Sequence, residues 1–186
     1  MRAASTLSGL TLIAILAIPA AAQKFNPADN LAPYIPSPQI VVDRMLELAR
    51  IHPGEVVYDL GSGDGRILIA AAQKFKARAV GIEMSPELCK STMAKVDRLG
   101  LHDLVTVMQA NLLKVDLSPA NVVTIYLLTS SNDRLRPNLE KYLRPGARVV
   151  SNDFEIRGWR PKEVVNLRVE GMEHRIYLYE VVKKSN

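Results

Sequence analysis

EVVYDLGSGDGR, residues 55–66, sets a short apolar run against three glycines. Val56 to Leu60 is predicted as a short buried strand, with Gly61, Gly63 and Gly65 as the turn after it. Ile67 to Phe75, apolar with Ala and Lys, is predicted as a helix. Strand, glycine turn and helix together make the phosphate or nucleotide loop of a doubly wound α/β fold. Without a Cβ, the glycines take backbone angles that other residues resist and let a ligand lie against the main chain.

The spacing selects the ligand. A dinucleotide loop reads GxGxxG and faces a pyrophosphate. This one reads GxGxG, is preceded by Asp59 and contains Asp64. A carboxylate here repels a pyrophosphate but suits a ligand carrying an ammonium group. The next strand, ARAVGIE, ends in Glu83, 18 residues beyond Gly65. An acid at that point is placed to accept hydrogen bonds from both ribose hydroxyls. Adenosine joined to a cationic amino-acid tail describes S-adenosylmethionine (SAM). Ser62, Asp64 and Gly65 complete the expected loop contacts.

Composition sets the frame. The chain has 186 residues, 48% hydrophobic and 23% charged, which is one globular domain. The formal charge is +5, or +4 if Arg2 leaves with a cleaved leader (5 − 1). The positive residues are scattered, so nucleic-acid binding is not expected. Cys89 is the single cysteine, allowing no internal disulfide and no cysteine metal cluster. It is read as a small apolar filler of a helix. His52, His102 and His174 are isolated, so no metal site is expected.

Residues 1–22 pair Arg2 with the apolar run Leu10 to Ile18 and the small residues Ala20, Ala21 and Ala22. This is the pattern of a secretory signal peptide or N-terminal anchor. It implies an exported, periplasmic or membrane-anchored protein, or a cytoplasmic one if the leader is misassigned. Residues 23–38 form a proline-rich linker whose PYIPSP core looks like a segment laid over something, or a spacer. Residues 39–186 form the main domain. Ser37 is expected to cap its first helix, with Pro38 in the first turn.

After Glu83, Ser85-Pro86-Glu87 opens a helix that ends near Gly100. LVTVMQAN is a third strand ending at Asn111, whose amide suits an adenine edge or a turn. Val122 to Leu128 is a fourth, wholly apolar strand, with Leu127 near the cofactor. ARVVSNDF is a fifth. WRPKEVVNLRVEG and MEHRIYLYEVV form a closing antiparallel hairpin that turns at Gly171. The expected fold is a Rossmann-like, mostly parallel seven-stranded sheet with helices on both faces. Trp159 is read as packing the hairpin, or as lining a substrate groove. Arg66 is read as making a surface pair.

A methyl acceptor meets the cofactor at the end of the fourth strand, which reads YLLTSSN. That end lacks the Asn/Asp-Pro-Pro-aromatic signature of enzymes that methylate amide or nucleobase nitrogens. Thr129 and backbone carbonyls remain, with Tyr34 if the linker folds over. This inventory suits a lysine amine, whose neutral form is favoured in an apolar slot beside a sulfonium. Tyr34 and Thr129 are the candidates to orient it. Their other readings are packing and helix capping.

From PYIPSP through VVYDLGSGDGRI, GIEMSPE, VVTIYLLTSSN and LRPGARVVSNDFEIRGW to the hairpin, the chain resembles the class I SAM-dependent methyltransferases. More narrowly, it is similar to the archaeal broad-specificity protein lysine methyltransferases. It is also similar to their mitochondrial relatives acting on the ATP synthase c subunit and the adenine nucleotide translocase. The resemblance implies that Asp59, Gly61, Gly63 and Glu83 hold SAM and that the proline-tyrosine segment closes over it. It implies action on protein lysines, and a monomer is expected. The leader departs from the archaeal members. The alternatives are a small-molecule methyltransferase and a silent exported module of the same fold.

Overall fold

The computed structural model describes residues 34–182. The leader and the linker up to residue 33 lie outside the described residues. Seven strands form one sheet: β1 Val56–Leu60, β2 Arg78–Glu83, β3 Val105–Gln109, β4 Val122–Ile125, β5 Arg148–Asn152, β6 Glu163–Val169 and β7 Met172–Glu180. Four helices join them: α1 Gln39–Leu48, α2 Arg66–Phe75, α3 Pro86–Arg98 and α4 Thr129–Tyr142. The sheet order is β3-β2-β1-β4-β5-β7-β6. The first five strands in sequence run parallel, and β7 pairs antiparallel with both β5 and β6. Chain order reverses beside β1, which opens a crevice at the strands' C-terminal ends between β1 and β4.

Two apolar layers cover the sheet. Met45 of α1, Leu68 of α2 and Val96 of α3 are fully buried in one layer, with Val57 and Val150 from the strands. Leu135 and Leu139 of α4 fill the other, with Leu60, Val123 and Val149. Adjacent residues Val149 and Val150 thus serve opposite layers, as a pleated strand buried on both faces requires. On α1, Val41, Met45 and Leu48 share one buried face, the spacing of an amphipathic helix.

Several boundaries differ from the sequence reading. β3 stops at Gln109, and Asn111 lies in the following turn, its Oδ1 accepting the Leu113 N–H at 2.9 Å. β4 stops at Ile125 instead of running to Leu128; Tyr126 to Leu128 form a three-residue connection, and α4 begins at Thr129. β5 ends at Asn152, because Asp153 turns the backbone to φ +59°. Ser37 does not cap α1. The capping position is Pro38, whose carbonyl takes the N–H groups of Val41 and Val42. Ser37 lies one residue too early and is buried, with its own carbonyl engaged elsewhere. Ser85 does cap α3, accepting the Leu88 N–H at 3.2 Å.

Arg148 ties the start of β5 to the end of α1. Its guanidinium donates to the carbonyls of Ala49 and Arg50 at 2.7 and 2.8 Å and pairs with Glu55 ahead of β1. Both charged side chains are largely buried. Arg148→Met should therefore lower stability by about 2–4 kcal/mol, since it strands two carbonyls and a shielded carboxylate. A urea midpoint unchanged from the wild type would refute this account of the corner.

Candidate active site

Three segments meet at the C-terminal ends of β1, β2 and β4. Residues 34–37, the loop after β1, and the ends of β2 and β4 enclose a cavity of about 210 Å³. Of the residues singled out in the sequence, Tyr34, Asp59, Gly61, Ser62, Gly63, Asp64, Glu83 and Leu127 line it. Gly65, Asn111 and Thr129 do not. Gly65 serves packing: a Cβ there would lie 2.3 Å from the Thr92 methyl of α3. Asn111 shapes its turn, and its neighbour Leu112 reaches the cavity. Thr129 is the first residue of α4.

The loop is fixed by β2. Gly61 and Ser62 both donate their N–H groups to the Ile82 carbonyl, at 2.8 and 3.1 Å. Gly63 donates to Glu83 Oε2 at 2.9 Å, while Glu83 Oε1 accepts from Met84 and Ser85 at 2.8 and 2.9 Å. Three of the roughly four acceptor positions of that carboxylate are used, and one is left for a ligand hydroxyl. Gly63 has φ +52°, and a Cβ on it would sit 2.6 Å from the Tyr34 ring. The Tyr34 ring packs against bare backbone that a residue with a Cβ would not leave open.

Arg66 makes the pair expected of it, with Asp64, but half-buried beside the cavity instead of on the open surface. It lines the cavity, grips both oxygens of Asp64 at 2.9 and 2.8 Å, and donates to the Ser37 carbonyl at 2.5 Å. It thereby straps residues 34–37 to the glycine loop. The Arg66 guanidinium holds the Asp64 carboxyl below its usual range. Tyr126, at the end of β4, also lines the cavity and was not singled out in the sequence. The available signal was a polar aromatic in the apolar run VVTIYLL, at a strand end. Trp159 packs edge-on against Tyr179 and donates to Glu140 at 3.0 Å, which is the packing role. Burial pushes the Cys89 thiol up to about 11, which leaves it a filler, not a nucleophile.

Asp59 is buried at the cavity wall and accepts the Thr124 hydroxyl at 2.7 Å. Burial, reinforced by the charges of Glu83 and Asp64, pushes its carboxyl up to about 7, against the pull of the Thr124 hydrogen bond. A cationic ligand relieves that penalty. Ser62 Oγ is buried at the same wall with no hydrogen-bond partner among the described residues. An orphan hydroxyl, a strained acid and an exposed glycine backbone fit a nucleoside with a cationic amino-acid tail.

Comparisons with known proteins agree with this chemistry. The family model described as ANTKMT methyltransferase domain matches residues 59–163. A protein-lysine N-methyltransferase of Saccharolobus islandicus (strain REY15A) is 47% identical over 150 residues, 80% of this chain and 93% of that protein. The adenine nucleotide translocase lysine N-methyltransferase of Mus musculus is 37% identical over 80% of this chain. The match spans only 63% of that longer protein. A crystal structure described as that of an RNA methyltransferase from Salinibacter ruber in complex with S-adenosyl-L-homocysteine superposes with a TM-score of 0.77. It is 46% identical and covers 82% of this chain and 97% of its own.

The Asp59 carboxyl has two consequences for pH. Between about 4 and 7 the folded chain holds a proton that an unfolded aspartate, with its ordinary value of 3.8, has released. The folded state binds more protons there, so the unliganded enzyme loses stability as pH rises through that window and levels off above it. If Asp59 holds the cationic tail of SAM, binding favours the charged carboxylate, expels the proton and tightens as pH rises through 7. Calorimetry at pH 6.5 in buffers of different ionisation heat should show proton release on SAM binding. Asp59→Asn should abolish that release and weaken binding about 10- to 100-fold. Equal proton release by the variant would refute the assignment.

Proposed function

This chain belongs to the ANTKMT methyltransferase domain family, and on that footing we propose that it methylates lysine side chains of proteins. S-adenosylmethionine is the cofactor. When bound, it supplies an electrophilic methyl carbon on a sulfonium. The residues that would hold it are Asp59 for the cationic tail, Glu83 for a ribose hydroxyl, and the Gly61–Gly63 backbone with Ser62 Oγ along its edge. Tyr34 and the strapped segment 34–37 exclude water above it. The observation that carries this reading is the cavity in which Asp59, the glycine backbone and Glu83 converge beside the end of β4.

The lysine assignment is supported by the Saccharolobus and mouse relatives and by the plain YLLTSSN end of β4. A neutral amine needs alignment and a dry slot more than a strong base. A second reading, RNA methylation, rests on the Salinibacter protein, which is described as an RNA methyltransferase. We further infer export, supported by Arg2, the apolar run and the alanines of residues 1–22. We also infer a monomer. Among the described residues no helix is long and apolar enough to cross a membrane.

Incubation of the full chain with tritiated SAM and heat-treated lysate should put label into protein. Acid hydrolysis should return it as methyl-lysine. Label confined to small-molecule fractions, or released by ribonuclease, would overturn the lysine assignment in favour of those substrates.

A further inference from the structure

We propose that Tyr126 is the residue that receives the acceptor amine, and that Asp153 and His174 are positioning residues that hold its phenol for that task. The assignment rests on the lysine reading above and names the amine-binding group of the same site.

Tyr126 directly follows β4 and lines the cavity next to Leu127. Its ring stacks on Phe154, with centroids 6.1 Å apart and planes at 28°. Asp153 lies between that phenylalanine and β5. Burial raises the Tyr126 phenol from its ordinary value, and the neighbouring Asp153 carboxylate adds to this by its charge and by a side-chain hydrogen bond. The carboxylate is itself held from two further directions. His174 Nδ1 lies 3.0 Å from Oδ2, and the Arg175 N–H donates to Oδ1 at 2.9 Å. The Asp153 backbone is anchored too, its N–H donating to the Arg175 carbonyl at 2.7 Å.

Two features mark this as more than packing. Asp153 stands at φ +59°, a conformation that costs a non-glycine residue energy and persists only where its surroundings impose it. His174 is buried, and its Nε2 finds no hydrogen-bond partner among the described residues. A strained acid and a half-satisfied histidine are costly ways to brace a hairpin. They make sense as fixed support for a group at the cavity wall.

The chemistry follows from proton count. A phenol has one hydrogen. Given to Asp153, it leaves the Tyr126 oxygen with lone pairs only. Because Tyr126 lines the cavity, such an oxygen would serve there as an acceptor and suits a ligand that brings N–H donors. A primary amine keeps two N–H bonds after losing one proton from its ammonium form. One can rest on Tyr126 while the nitrogen lone pair points at the methyl carbon. The step forms a nitrogen–carbon bond and breaks the carbon–sulfur bond, whose electron pair stays on sulfur. The proton lost beforehand goes to water. Tyr126 takes no proton; it orients the nitrogen.

The test uses the full chain with Tyr126→Phe, which keeps the ring on Phe154, and Asp153→Asn, since asparagine tolerates the same backbone angle. Calorimetry with SAM should give affinities within about twofold of wild type for both. With heat-treated lysate protein as substrate, Tyr126→Phe should lower kcat about 10- to 100-fold, and Asp153→Asn by a smaller factor in the same direction. A readout without turnover uses protein loaded with S-adenosylhomocysteine and carrying 13C-labelled tyrosine. There n-butylamine hydrochloride should move the Tyr126 resonance saturably, and n-butanol should not. Unchanged kcat in Tyr126→Phe, a parallel loss of SAM affinity, or an unmoved Tyr126 resonance each overturns the assignment. A wild type that labels no lysine instead overturns the function on which it rests.

Discussion

The loop after β1 lies flat on β2, and everything at the crevice depends on that contact. Three backbone N–H groups of the loop point into β2: two onto the Ile82 carbonyl and one onto Glu83. Such close approach is possible only where side chains are missing. A Cβ at Gly81 would lie 2.6 Å from both Ser62 Oγ and Leu68 Cδ1, and one at Gly65 would strike Thr92. The loop thus becomes part of the sheet's rim instead of a mobile connection. Glu83 is oriented by the same bonds, so the acid proposed for the ribose and the glycine backbone proposed to lie along the cofactor are placed by one interaction.

That placement has an energetic cost, carried by Asp59. A carboxyl buried at the end of β1, with two other acids nearby, resists ionisation up to about pH 7. A stability-optimised protein would put an apolar residue there. In the proposed binding mode the cofactor's positive charge offsets the penalty, so the electrostatics that disfavour the ionised acid become favourable on binding. Arg66 handles the neighbouring acid differently. It neutralises Asp64 and uses a further donor to hold Ser37. One acid is left for the ligand and the other is absorbed into the scaffold.

Much of this was legible in the sequence because it is local. The glycine loop, the acid ending β2, the Ser85 cap and the hairpin at Gly171 are each written in a few adjacent residues. What escaped depends on residues far apart. Arg66 reads as a surface cation until Ser37, 29 residues earlier, folds back over it. Ser37 reads as a cap because the pattern is right by composition and wrong by one position. Tyr126 reads as one more apolar strand residue. Its role depends on Asp153, whose backbone angle no spacing reveals. Asn111 was placed at a strand end because periodicity continues past Gln109, where the ladder with β2 has already stopped at Glu83.

The two ends of the crevice also differ in how they present negative charge, and the difference suits the reaction. At the cofactor end, the proposed partner of Asp59 is the ammonium of the amino-acid tail, which Asp59 can meet directly because that nitrogen is not the nucleophile and keeps its protons. At the acceptor end a bare carboxylate would be harmful. It would bind a lysine side chain as its ammonium ion and raise its pKa, holding the nitrogen lone pair occupied. Covering Asp153 with the Tyr126 phenol on one side and His174 on the other removes that trap. The anion remains as a fixed anchor, but the surface offered to the amine is a neutral oxygen with lone pairs. An arriving amine gains a hydrogen bond without gaining a reason to keep its extra proton. The sulfonium nearby then disfavours the ammonium form further, since two positive charges in a dry slot repel. Selection for the reactive, neutral nitrogen thus needs no general base. It needs an acid that the fold has already screened.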